Sequence, residues 1–152
     1  MRAVVQRVKD ASVAVDEVQV GAIKEGLLVY LGVADSDDES VCMKIAEKIS
    51  KLRIFKDEND KMNLSVGDVK GSFLVVSQFT LYANIRKGNR PSYDEAGKPE
   101  HANMLYEYFI KVLRDKGFCV EHGVFGAHMH VCYENDGPVT ILMDSDDLFA
   151  GK

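Results

Sequence analysis

Two unbroken apolar runs, GLLVYLGV at 26–33 and GSFLVV at 71–76, place the tightest limit on what this chain can fold into. Each opens on a glycine and is too short for an ordinary helix. Neither shows the alternation of a half-exposed strand, so both suit strands covered on both faces. Strands of that kind need a layer packed on each side of their sheet, which predicts a layered domain.

The rest of the chain supplies those layers. Residues 3–8 alternate and SVAVD follows, which predicts a strand starting almost at Met1. Ser36 and Glu39 have capping-box spacing above a stripe of Val41, Ile45, Ile49 and Leu52, which predicts a helix over about 38–52. RIFKDENDKMNL reads as a hairpin turning at DEND. From Ala83 to Pro99 the composition is polar, with two glycines and two prolines, and reads as a long loop. A second helix is expected to start just after Pro99, where Ala102, Leu105, Tyr106, Phe109 and Leu113 share a face, and to end at Gly117. Strands near 119–122, 128–134 and 139–144 finish the chain. No repeat, low-complexity tract or linker divides it, so the expected organisation is one α/β domain over 1–152. That domain is a compact layered fold of mixed and antiparallel sheet with two main helices on one side.

Bulk properties remove several function classes. With 46% hydrophobic residues a real core is available, and a net charge of −5 excludes a large basic surface for nucleic acid, so any such contact is small and local. Cys42, Cys119 and Cys132 lack C-x-x-C spacing, which argues against a disulfide framework or thiolate zinc site and fits a reducing cytoplasm. Arg2, Arg7 and Lys9 interrupt the N-terminal apolar stretch, unlike a secretory signal. No run approaches the roughly 18 apolar residues of a membrane span, so no membrane association is expected. G-x-G-x-x-G, Walker A, HExxH and G-x-S-x-G motifs are all absent.

Four features remain as possible chemistry. SQFTLY places Ser77, Gln78 and Thr80 at the end of a buried strand, where polar groups either satisfy a turn or face a ligand. IRKGNR clusters Arg86, Lys87 and Arg90, the best phosphate-gripping group on an acidic chain, or a solvated cluster on a loop. His128 and His130 share a strand face with no third ligand at a recognisable spacing, and read as surface histidines; no metal or cofactor is expected. Gly137 and Pro138 precede the VTILMD run. Proline cannot donate to a ladder, so Pro138 is expected to start a strand and not lie inside one. A cis bond there would present flanking carbonyls to a substrate amine, while a plain turn is the ordinary alternative. Arg7, on a largely apolar strand face, reads as an edge arginine reaching for water, or as a buried one holding a backbone element.

MRAVVQRV, GLLVYLGV, KMNLSV, VVSQFTLYA, RKGNRPS and NDGPVTILMD, in this order over essentially the whole chain, resemble the D-aminoacyl-tRNA deacylases, the D-Tyr-tRNA deacylase family. SQFTL and NDGPVT together carry the specificity. The resemblance implies an ester hydrolase that removes D-amino acids, and glycine, from the 3′-terminal adenosine of tRNA as chiral proofreading in translation quality control. It implies a homodimer with the active site at the subunit interface. Gly137 and Pro138 match the family's Gly-cis-Pro pair, whose backbone oxygens enter the partner's pocket, bind the amine and exclude L-side chains. By the same carry-over Ser77, Gln78, Phe79 and Thr80 line the pocket, Arg7 orients the Gly-Pro element, and Phe125 and Met129 lie nearby. Thr80 matches the family's traditional nucleophile candidate. The preferred alternative uses the substrate's ribose 2′-hydroxyl and a water, with N–H groups near Phe79 and Thr80 holding the oxyanion, because no base in sequence activates a threonine.

The chain departs from the family pattern in two places. FGAHMHV stands where FGADMQV or similar is expected, and NRPSY varies on RRPSF. An imidazole facing the pocket at 128 or 130 would make activity pH-sensitive near neutrality. The competing readings are a silent nucleic-acid-binding module and a generic small-ester hydrolase.

Overall fold

A computed structural model describes residues 1–151, so Lys152, at the end of the expected 1–152 domain, lies outside the described residues. In chain order the elements are β1 (Arg2–Val15), β2 (Val18–Ile23), β3 (Gly26–Gly32), α1 (Glu39–Ser50), β4 (Phe55–Lys56), β5 (Met62–Leu64) and β6 (Ser72–Ser77). A 3₁₀ turn (Phe79–Tyr82) follows, then α2 (Pro99–Asp115), β7 (Val120–His122), β8 (His130–Asp144) and α3 (Ser145–Phe149). One mixed sheet runs β2-β1-β3-β6-β7, with β8 on the far edge of β1; β4 and β5 form the small expected hairpin. The β3–β6 and β6–β7 pairs are parallel and the pairs made by β1 are antiparallel.

Both apolar runs become central strands. Leu27, Val29, Leu31, Phe73 and Val75 point to one face, where the stripes of α1 and α2 cover them and make the main core. Leu28, Leu74 and Val76 point to the other face and join Val8, Ala11, Val13 and Ile23 in a second core. That second layer exists because β1 is long. Its first half pairs with β3 and its second half with β2, which brings β2 over the sheet until Gly21 meets the backbone of His122. The two main helices lie on one side, as the sequence predicts, and the short α3 is additional.

Three local expectations are corrected. The cap of α1 is Asp38, whose carboxylate accepts from the Val41 N–H at 2.9 Å, and not Ser36. Ser36 lies in the preceding Ala34–Asp37 turn, closed by the Asp37 N–H on the Ala34 carbonyl at 3.1 Å. The expected strands at 128–134 and 139–144 are one strand, β8, and Pro138 lies within it. Register explains how: Val8 pairs with Asn135 and Gln6 with Thr140, so residues 136–139 of β8 bulge out opposite Arg7 alone. The Asn135 side-chain amide closes the base of the bulge by donating to the carbonyls of Arg7 and Val139, each at 3.0 Å. Pro138 therefore has no ladder bond to lose. Third, Arg7 is buried at 4% exposure, so the edge-arginine reading fails. The bulge of β8 lies over it and Ile54 closes beside it.

Candidate active site

The 3₁₀ turn is where β6 stops being a strand. The Gln78 N–H still bonds the Leu31 carbonyl at 2.8 Å, continuing the parallel ladder, and then the chain coils through Phe79–Tyr82. Arg2 fixes the turn from the side. Its Nη1 donates to the Leu81 carbonyl at 2.9 Å, its Nε donates to Asp144 at 2.8 Å, and its guanidinium lies 4.5 Å from the Tyr82 ring centre. Burial pushes the Asp144 carboxyl up, but the hydrogen bonds from Arg2 and from the Asp146 N–H outweigh it and hold that group below the ordinary range.

Beside this turn lies a largely apolar cavity of about 450 Å³. Ser77, Gln78 and Phe79 form one wall, Tyr93 with Ala96–Pro99 a second, and Tyr106 and Phe125 the floor. The second wall is held to the sheet by the Gly97 N–H on the Val33 carbonyl at 2.7 Å and the Lys98 N–H on Asp35 at 2.8 Å. Phe79 meets Tyr93 edge to face at 5.0 Å between ring centres, which closes the rim. Tyr106 donates to the Val75 carbonyl at 2.9 Å, and burial raises its phenol well above the usual range, so it keeps its proton. Among the lining residues Lys98 is the only charged side chain, and none is a carboxylate or imidazole.

The other predicted residues fall into three groups. Thr80 is exposed on the turn, outside the cavity lining, and its hydroxyl receives a hydrogen bond from the Gln78 amide. Arg7 lies under the β8 bulge: its Nε donates to the Asp136 carbonyl at 3.1 Å and its Nη1 to the Ile54 carbonyl at 2.7 Å. Above it the Gly137–Pro138 peptide is cis, both residues are exposed, and neither lines this cavity. Gly137 has φ +130°, and a Cβ there would sit 3.0 Å from an Arg7 nitrogen. Phe125 lines the cavity, whereas Met129 packs into the second core over Gly123. His128 and His130 are exposed and do not line the cavity. Arg86, Lys87 and Arg90 occupy the exposed tip of a loop pinched by paired backbone bonds between Asn84 and Ser92, at 2.8 and 3.0 Å.

Tyr93, Gly97, Lys98 and Tyr106 were not legible as site residues. The first three sit in a loop whose contacts are long-range. Tyr106 counted only as part of the α2 stripe, although a phenol on a core face needs a hydrogen-bond partner and that need was the available signal.

A family profile described as D-Tyr-tRNA(Tyr) deacylase matches residues 4–144. The chain is 60% identical over 149 residues to a D-aminoacyl-tRNA deacylase of Thermotoga petrophila, covering 98% of this chain and 100% of the relative. A D-aminoacyl-tRNA deacylase of Clostridioides difficile is 57% identical with the same coverage. Among solved structures, one titled c-Myc DNA Unwinding Element Binding Protein superposes with a TM-score of 0.89 at 42% identity, covering 95% of this chain and 98% of the other. A probable eukaryotic D-amino acid tRNA deacylase, at TM-score 0.79 and 17% identity, shares the fold, with coverage of 93% and 97%. With the profile spanning nearly all of β1 through β8, the chain belongs to the D-Tyr-tRNA(Tyr) deacylase family.

Proposed function

We propose that this chain hydrolyses the ester between a D-amino acid and the 3′-terminal adenosine of tRNA, and that main-chain atoms at Gly137 and Pro138 read the configuration inside the cavity of a second copy. Family membership and the names of the relatives support the reaction. One observation carries the second half. The Gly137–Pro138 turn is anchored from below by the buried Arg7, yet it is exposed and takes no part in its own chain's cavity. A rigidly held, outward-facing backbone element is suited to completing a neighbour's site. An exposed edge beside it, with Leu142 at 79% exposure, offers the surface for a homodimer.

Backbone acceptors read the α-amine and the direction of the side chain without contacting most of that side chain. Such a site accepts many D-residues, rejects L-residues by clash, and admits glycine, which has nothing to clash. The chemistry follows from the lining. The cavity lining offers no carboxylate or imidazole as a base and does not include Thr80, which supports a water assisted by the ribose 2′-hydroxyl of the substrate as the nucleophile. The Phe79 and Thr80 N–H groups, which open the 3₁₀ turn and have no preceding carbonyl to bond, stabilise the oxyanion. Gln78 positions the Thr80 hydroxyl. Arg86, Lys87 and Arg90 are the phosphate contacts for the tRNA end, a small footprint consistent with a net charge of −5. The setting is the cytoplasm, where aminoacyl-tRNA is found; among the described residues no helix is long and apolar enough to cross a membrane.

The name of the 42% identical neighbour supports a second reading, a nucleic-acid-binding module without catalysis. Deacylation of D-Tyr-tRNA and L-Tyr-tRNA by the purified protein separates the two. The D-ester is expected to be cleaved and the L-ester spared; equal cleavage of both, or of neither, contradicts the proposal. Thr80→Ala is expected to retain activity within about tenfold, whereas a covalent threonine mechanism requires a loss of roughly 10⁴-fold.

A further inference from the structure

His130 opens β8 and His128 lies two residues before it; both side chains are exposed, while Met129 and Val131 between and after them join the second core. Their Nε2 atoms are 3.3 Å apart, their ring centres 5.1 Å apart, and the ring planes are nearly perpendicular at 83°. At this separation the two rings share a hydrogen bond when one Nε2 carries a proton and the other accepts, and when neither does, the same convergence turns two lone pairs toward one point. Two imidazole nitrogens on one tetrahedral Zn²⁺, each about 2.0–2.1 Å from the ion, stand about 3.3–3.4 Å apart with ring centres about 5.2 Å apart. Both observed spacings match.

We infer that His128 and His130 are a two-imidazole chelate for a divalent transition-metal ion of the Zn²⁺ class, beside the exposed start of β8. Each imidazole contributes a neutral Nε2 lone pair, and water fills the remaining positions. Among the described residues no group of three or more His, Cys, Asp or Glu side chains is placed to hold an ion, so the protein supplies two ligands and binding is of modest strength. Irving–Williams ordering places Cu²⁺ above Zn²⁺ and Ni²⁺ at such nitrogen sites. The other two histidines are engaged elsewhere: His101 contacts the Asp37 carbonyl at 2.9 Å and His122 the Gly123 carbonyl at 2.6 Å. The inference rests on neither deacylation nor dimer formation.

The test is titration of the purified full chain with ZnCl₂ alone, by calorimetry and by displacement of zinc from a chromophoric chelator, with imidazole NMR signals as the site-specific readout. One ion per chain is expected, with the His128 and His130 ring signals moving and those of His101 and His122 still. His128→Gln and His130→Gln lie on an exposed face and leave the fold intact; each is expected to weaken binding at least ~tenfold. Zinc binding unchanged in the double variant, or no binding by the native chain, overturns the inference.

Discussion

Arg7→Ala is expected to lower the kcat/KM for D-Tyr-tRNA by at least about 100-fold, more than its effect on folding explains. The guanidinium ties the middle of the β8 bulge to the body of the sheet through the Asp136 carbonyl, where Asn135 reaches only its base, and it simultaneously satisfies Ile54. Removing it leaves both carbonyls short of a donor, at about 1–3 kcal/mol each, and frees the segment that carries Gly137 and Pro138. A misplacement of about 1 Å in a positioning element is enough for a loss of this size. Arg7→Lys keeps the charge but not the fork, so it reaches one carbonyl and recovers part of the activity. Activity measured beside a thermal midpoint makes the check. If the alanine variant stays folded at the assay temperature and keeps native turnover and D-selectivity, Arg7 does not position this element.

The largest stability effect is expected at Asp37, far from the bulge. This carboxylate is buried, 2.6 Å from the Met1 ammonium with one oxygen and 2.7 Å from the Ala34 N–H with the other. Asp37→Ala strands a buried cation that Ser145, at 2.7 Å, satisfies only in part. The expected cost is about 3–5 kcal/mol, the range for breaking a buried pair by removing one partner. The same turn contains Asp35, which holds Lys98, and follows Val33, which holds Gly97, so the loss spreads into one wall of the cavity. Chemical denaturation of the variant measures it, and a cost under about 1 kcal/mol would mean that the pair is not buried as described.

The parts of this fold that could be read from sequence are those decided by short-range pattern. Leu27 to Leu31 and Phe73 to Val76 had to be central strands because nothing polar interrupts them, and the α1 and α2 stripes follow helical period. The parts that could not be read depend on partners distant in sequence. Arg7 looked like an edge residue because its acceptors lie at 54 and 136, and Pro138 looked like a strand start because nothing local reveals that Asn135 bridges the bulge. The cavity was half legible. Ser77 and Gln78 stood out as polar groups ending an apolar run, but Gly97 and Lys98 are held at the site through N–H bonds to the Val33 carbonyl, just past β3, and to the Asp35 side chain. The resemblance carried by SQFTL and NDGPVT proposes one site for two stretches that spacing alone does not connect, and it left Gly97 and Lys98 unread.

The central claim, that one chain's Gly137–Pro138 turn completes the other chain's cavity, is tested most directly by mixing two inactive variants. Gly137→Ala disables the turn, since φ +130° and the nearby Arg7 leave no room for a methyl group; Ala96→Trp fills the cavity. Refolded or co-expressed together, they form heterodimers in which one site carries both lesions and the other carries neither. Recovery of D-Tyr-tRNA deacylation in the mixture, absent from either variant alone, is the predicted result. A mixture as inactive as its components, with heterodimers shown to be present by mass spectrometry, would mean that each chain builds its own site and that the account is wrong.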